Sequence, residues 1–350
     1  MAQTQEVTPQ KEGSIPSYLH RQLFFTPKPV AGVSLEGKTA IVTGSNCGVG
    51  LECSRQLLDL GITKLILAVR SQARGQAAAE ELARDRSLAA GRSIDVWELD
   101  HLSYDSVRAF AGRARSLDRL DLVVLNAGTL PAAQTINPHT GHDEGVQVNY
   151  LSTSLLLVLL LDVIKSKPES QPARITITSS DGAAWTKFAE KKNRPLLASL
   201  DKPEGWSAID RQFLSKLLVQ FFVSKLATVV PASVAVVNMA TPGMVHDSNM
   251  NRETKAQLAS KIVEPLRRMM GYTSAVAARL IVDAAVNHGP ESHGRYLSEQ
   301  RIKPMAPIVY TEEGQALKDQ IWDETLAEFG FANMGGIING LAGASSSATK

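Results

Sequence analysis

The stretch from Ala40 to Gly50 leaves this chain few ways to fold. Ala40, Ile41 and Val42 form a short apolar run, and Thr43-Gly44-Ser45-Asn46-Cys47-Gly48-Val49-Gly50 follows as a turn opening a helix that continues to Leu58. Its glycines have separate duties. Gly44 lets the chain reverse out of the strand, Gly48 removes a side chain that would block a pyrophosphate, and Gly50 lets the helix pack close on the sheet. The helix would aim its free N–H groups and the positive end of its dipole at that phosphate. A strand–helix turn without a ligand can carry the same letters, so the neighbouring strand matters. Lys64–Val69 lies at the right distance, with Arg70 at its carboxyl end. An acidic residue there would bind the ribose 2'-hydroxyl of NAD, whereas an arginine accommodates a 2'-phosphate. The pattern favours NADP(H), with Arg74 as a second cation; the bland alternative for either arginine is a solvated charge past a strand end.

The pattern continues along the chain. Strands expected at 39–43, 64–69, 93–98, 121–125, 173–178 and 233–238 alternate with helices at 48–60, 72–84, 103–115, about 141–165 and 209–227. Such alternation predicts a single α/β domain of the Rossmann type, a doubly wound parallel sheet with right-handed crossovers. Residues 1–36, with prolines at 9, 16, 27 and 29, read as an N-terminal arm anchored by Phe24 and Phe25. Residues 37–330 form the dinucleotide-binding and catalytic domain, and 331–350, rich in Gly, Ala and Ser, a flexible tail. Segments 182–208 and 241–270 exceed ordinary loops and open at the carboxyl edge of the sheet, which marks them as substrate loops.

Composition excludes several classes. Lysine and arginine number 37 against 35 aspartate and glutamate, and no basic cluster interleaves with aromatics, so no nucleic-acid partner is expected. Cys47 and Cys53 resemble neither a disulfide framework nor a zinc site, which fits a reducing, cytoplasmic compartment and no metal. The polar N-terminus is no signal peptide. The apolar run from Leu155 to Leu161 is cut off by Asp162 and Lys165, short of the ~20 residues a bilayer needs, so it reads as a buried helix rather than a membrane span.

Further residues follow in a telling order: Asp100 after the third strand, Asn126-Ala127-Gly128 after the fourth, Asn149 within Val148-Asn149-Tyr150, Ser179 and Ser180 after the fifth, Lys216 in Ser215-Lys216-Leu217, and Pro242-Gly243 after the sixth. From about Leu35 to Gly243 this resembles the short-chain dehydrogenase/reductase superfamily. The segments 140–152 and 291–298 resemble its retinol-dehydrogenase-like branch as it occurs in fungal reductases, extending the similarity to about Phe329. The resemblance implies that Gly44, Ser45, Asn46 and Val49 line the phosphate turn, that Asp100 holds the adenine amine, that Asn126 fixes the strand beside the cofactor, and that Pro242-Gly243 lies against the nicotinamide. It assigns catalytic positions to Asn149, Ser180 and Lys216: serine holds the reacting oxygen, lysine binds the nicotinamide ribose, and asparagine supports a water leading to lysine.

The fourth catalytic position departs from the family. Where a tyrosine would transfer the proton, four residues before Lys216, stands Gln212, and no tyrosine occurs between 150 and 272. An amide does not titrate, though it donates and accepts hydrogen bonds, and losing a positioned acid or base costs about 10²–10⁴-fold. Asp181, His246 and Arg211 are the candidate replacements.

Three functions remain open. The first is an NADP(H)-dependent oxidoreductase of secondary metabolism acting on a hydrophobic small molecule with atypical proton transfer. The second is a non-redox isomerase, dehydratase or cyclase on the same scaffold, and the third a cofactor-binding pseudoenzyme. Helices around 150–165 and 212–227 could pair across a homodimer, or their apolar faces could be covered by the C-terminal segment.

Overall fold

The computed structural model describes residues 7–84, 91–167, 172–248 and 268–343. Where the prolines predict an arm, two capped helices stand: α1 (Pro9–Glu12) and α2 (Ile15–Phe24). Pro9 and Pro16 fall in first turns, where a missing N–H costs no helical bond, and the Thr8 and Ser14 side chains accept from the N–H groups of Lys11 and Ser17. Phe24 is not the anchor, being 74% exposed; Arg21 and Gln22 are buried instead.

The wound unit then runs β1 (Thr39–Thr43), α3 (Gly48–Asp59), β2 (Lys64–Val69), α4 (Gln72–Arg84), β3 (Ser93–Glu98), α5 (Tyr104–Ala114) and β4 (Leu122–Leu125). The helix expected near 141–165 is broken into α6 (Glu144–Val146), a π-helical turn (Gln147–Leu151) and α7 (Ser152–Lys165). After β5 (Ala173–Thr178) come α8 (Leu196–Ser199), α9 (Ala208–Val229) and β6 (Ala235–Ala240). This last strand starts two residues later than its sequence suggests, because Val234 N–H closes a turn onto the Pro231 carbonyl. The chain ends with α10 (Ser274–Val286), β7 (Tyr296–Ser298), β8 (Arg301–Lys303), α11 (Glu312–Glu328) and α12 (Met334–Ala342). Most of segment 241–270 lies outside the described residues.

The strands order as β3-β2-β1-β4-β5-β6-β7-β8, all parallel except β8, which is antiparallel to β7. Strand order therefore reverses between β1 and β4, and a crevice opens beyond their carboxyl ends. Alternation along β1 creates the two core layers: Ile41 joins the layer under α5, α7 and α9, while Ala40 and Val42 join the layer under α3 and α10.

The C-terminal helices cover α7 and α9. Tyr150 Oη lies 2.6 Å from Thr325 Oγ1, and the Phe222 and Trp322 rings stack 5.2 Å apart. In the expected flexible tail, Met334, Ile338 and Leu341 of α12 are buried at helical spacing, packed in the same layer as α7. These faces are thus sealed from within the chain. The stretch Glu144–Lys165 is long and apolar enough to cross a membrane, but 83% of its apolar window is buried inside the protein.

Segment 182–208 is likewise a packed wall. The Glu324 carboxylate accepts from the N–H groups of Leu196 and Leu197 at 2.8 and 2.7 Å, capping α8. His142 sits between Asp201 (2.9 Å) and Glu328 (3.2 Å). Burial opposes its charge, but hydrogen bonds to both carboxylates prevail and raise its pKa to about 9.

Candidate active site

The crevice is a cleft of about 1070 Å³ lined from Arg70 and Asp100 at one end to Ser180, Gln212 and Met270 at the other. That volume lies at the upper end of the roughly 300–1,000 Å³ common for ligand pockets.

The glycine turn builds its first wall. Gly44 has φ +65°, and a Cβ there would lie 3.0 Å from the Ala127 Cα, so β1 and the loop after β4 touch through it. At Gly50 a Cβ would come within 2.4 Å of the Gly44 carbonyl oxygen and 2.5 Å of Asn126 Nδ2. Gly50 therefore closes the turn on itself, a tighter constraint than helix–sheet packing. The N-cap of α3, Cys47, makes no side-chain cap bond, which leaves the first N–H groups of the helix for an anion. Gly44, Asn46, Gly48 and Val49 line the cleft. Ser45 does not: it is fully buried, and its Oγ has no partner among the described residues.

Arg70 and Arg74 are exposed on the cleft wall, and no acidic group pairs with either among the described residues. One carboxylate oxygen of Asp100 accepts from Leu102 N–H at 2.9 Å, which fixes the side chain at the cleft edge. Asn126 ties three strands together. Its N–H donates to Thr43 Oγ1, its Nδ2 to the Thr43 carbonyl, and its Oδ1 accepts from Thr178 Oγ1.

At the opposite end, Asn149 stands in the π turn, where one extra residue per turn re-aims the side chain. It lies behind the cleft surface, and its orientation is dictated by main chain. Oδ1 accepts from Thr129 N–H at 2.8 Å, so Nδ2 must be the donor to the Thr129 carbonyl at 2.9 Å. The same Nδ2 reaches Gln212 at 2.7 Å, so the Gln212 atom it meets must be the acceptor Oε1. The amine is the opposite end of this amide, on a residue that lines the cleft. Ser180 Oγ accepts from Gly182 N–H at 3.1 Å, which frees its own proton for a donor role.

Lys216 is buried and donates from Nζ to the Thr178 carbonyl at 2.8 Å. Burial lowers its pKa to about 8. Gly128 makes room here, since a Cβ would sit 3.2 Å from Asn149 Oδ1 and 3.9 Å from Lys216 Nζ. Pro242 and Gly243 complete this wall, Gly243 with φ +68°.

The three candidate replacements for tyrosine fare differently. Both Asp181 oxygens are engaged, by Arg21 at 2.9 Å and by Thr241 Oγ1 at 2.8 Å. Arg211 is buried against Glu190, 3.1 Å away, and neither it nor His246 lines the cleft.

Sequence reasoning missed Tyr18 and Trp185, which line the cleft at the end where Gln212 and Phe213 stand, and Gln22, which props it. Gln22 accepts from Met244 N–H at 2.8 Å and donates to the Met270 carbonyl at 2.9 Å. The signal was present: Ser14 followed by Pro16 caps a helix on which Tyr18, Arg21 and Gln22 share one face.

A doubly wound sheet carrying a buried lysine, an aligned asparagine and a free-proton serine beside a glycine turn defines a nicotinamide-dependent oxidoreductase class. Sequence similarity narrows it. The short chain dehydrogenase family model matches residues 38–189. Short-chain dehydrogenase fogG of Aspergillus ruber is 42% identical over 97% of this chain and 99% of its own length. Short chain dehydrogenase/reductase mfmJ of Annulohypoxylon moriforme is 40% identical over 98% of this chain and 100% of its own. This chain belongs to the short-chain dehydrogenase/reductase family, in a branch with fungal members. Among solved structures, a short chain oxidoreductase from Pseudomonas aeruginosa PAO1, described as NADPH-bound with an atypical catalytic centre, superposes with TM-score 0.56 at 21% identity, over 76% of this chain and 96% of that one. At that identity the likeness is one of fold.

The residues present suit the cofactor such a family uses. The uncapped start of α3 offers N–H groups for a pyrophosphate, and the nearest atoms a Cβ at Gly48 would meet are Ser274 Oγ at 3.8 Å and Ser248 Cα and Cβ at 3.9 Å, so the space in front of the turn is open.

Proposed function

We propose that the chain is an NADP(H)-dependent oxidoreductase of secondary metabolism, working in the cytoplasm on a hydrophobic small molecule whose reacting oxygen is held by hydrogen-bond donors instead of a titrating tyrosine. One observation carries this reading: Ser180, Gln212 and the buried Lys216 line the same cleft as the glycine turn, and Gln212 is fixed there by Asn149. The cofactor, when bound, supplies or receives a hydride. Around it, the α3 N-terminus would hold the pyrophosphate, and Arg70 and Arg74 a 2'-phosphate. Asp100 would meet the adenine amine, and Lys216 the nicotinamide ribose, with Pro242-Gly243 against the ring. Ser180 and Gln212 would donate to the substrate oxygen as charge grows on it, as oxyanion-hole donors do. An iminium, whose carbon takes up hydride to give a neutral amine with no proton delivered to nitrogen, needs no acid in this set.

Calorimetric titration with NADPH, NADP+ and NADH tests this. Micromolar NADPH with NADH at least tenfold weaker is the expected result, and no binding of any of the three sinks it. The absence of a titratable group at 212 also favours a second reading, a non-redox enzyme polarising its substrate through the same residues. Conversion that consumes NADPH stoichiometrically removes that reading.

A further inference from the structure

Resting on that reading of the cleft, we propose that Tyr18 is a substrate-contacting residue whose phenol donates a hydrogen bond to an oxygen of an aromatic substrate lodged along the Trp185–Phe213 edge. Tyr18 is the only tyrosine among the described residues lining the cleft. It comes from α2, outside the wound unit, and reaches the same end as Ser180 and Gln212.

The hydroxyl is placed and unspent. Tyr18 Oη has no hydrogen-bond partner among the described residues and retains access to the cleft. Its position is set one helical turn further on. Arg21 pairs with Glu12 and Asp181, each at 2.9 Å and each pair almost wholly buried. Gln22 is bonded to main chain at Met244 and Met270, and Tyr272 Oη donates to the Phe25 carbonyl at 2.8 Å. Truncating one side of such a buried pair strands the other charge, so α2 is held firmly. Burial, with the Asp181 carboxylate adding to it, pushes the Tyr18 phenol well above its ordinary range, so the group acts as a neutral donor.

The surroundings indicate what it meets. The Tyr18 ring stands edge-on to Trp185 at 4.8 Å, and Trp185 stands edge-on to Phe213 at 5.7 Å. Trp185 is itself locked, its Nε1 donating to the Gly13 carbonyl at 2.8 Å. The Phe213 ring lies on Gly182, where a Cβ would approach it to 2.2 Å. Met244 and Met270 bring polarisable sulfur to the same end. Rigid aromatic edges and methionines suit a planar ring system, and one phenol suits an oxygen carried on it.

The test is calorimetry on protein saturated with NADP+, which prevents reduction, using 2-acetylnaphthalene and its oxygen-free counterpart naphthalene. The wild type should bind the ketone more tightly than the hydrocarbon. Tyr18→Phe, which keeps the ring against Trp185, should lose about three- to tenfold for the ketone, one neutral hydrogen bond's worth, with naphthalene affinity and thermal midpoint unchanged. Tyr18→Ala should weaken both. Ketone affinity within twofold of wild type in Tyr18→Phe, no preference for the ketone, or no binding of either probe overturns the proposal. If NADP+ itself fails to bind, the cofactor reading falls, and the same titrations on the unliganded protein still decide Tyr18.

Discussion

At one end of the cleft, Gly44, Arg70 and Asp100 come from three successive strand-to-helix turns, each placed by its own local sequence. At the other end, Tyr18, Ser180, Gln212 and Met244 come from segments far apart in the chain, with Arg21 meeting a carboxylate 160 residues away. Local turns suit a ligand recognised by main-chain N–H groups and fixed charge. Long-range assembly suits a ligand recognised by shape, which a single turn cannot supply. Changes at one end should therefore leave the other intact.

The largest expected effect is at the substrate end. Ser180→Ala should lower kcat about 10²–10³-fold, as loss of an oxyanion donor does, while NADPH affinity by calorimetry stays at the wild-type value. A parallel fall in NADPH affinity would break the separation. At the cofactor end, Gly50→Ala places a carbon against the Gly44 carbonyl, which belongs to backbone and cannot step aside. It should weaken NADPH about 100-fold through strain of a few kcal/mol. Smaller is Arg70→Ala, for which about tenfold weaker NADPH and unchanged NADH are expected; equal losses for both would remove the 2'-phosphate role.

The smallest effects are read against pH. The lowered Lys216 pKa means that the native chain releases this proton at about 8 while the unfolded chain holds it to about 10.5. Stability should accordingly rise over that window, and Lys216→Met should abolish the rise. NADPH affinity should fall as pH climbs through about 8, where the native chain loses this cation. His142 works oppositely. Its stabilisation is complete below its unfolded value of 6.5 and is lost as pH climbs through about 9, which urea titrations of His142→Gln should show as a flattened slope.

The parallel strands were legible because strands buried on both faces read as unbroken runs such as Leu65 to Val69. Of the site, Gly44, Asn46, Gly48 and Val49, Arg70, Asp100 and Asn126, and Ser180, Gln212, Lys216, Pro242 and Gly243 all reach the cleft. Ser45 and Gly50 do not, and Asn149 acts from behind it. What the sequence hid depends on tertiary partners. Gly335, Gly336 and Gly340 argue against a helix, yet α12 forms because Met334, Ile338 and Leu341 find an apolar face. The prolines at 9 and 16 spell an arm unless their caps are noticed. The direction in which Gln212 points follows from the Thr129 main chain, to which no spacing rule leads.

The long-range clasp on α2 also sets an order of events in time. The helix carrying Tyr18, Arg21 and Gln22 leaves the ribosome well before its partners at Asp181, Met244 and Met270, which emerge 160, 222 and 248 residues after the side chains they bind. The glycine turn and the strands β1 to β4 are all synthesised before the first of those partners. The α2 helix must wait, and the cleft is finished by a segment made long before the partners that hold it.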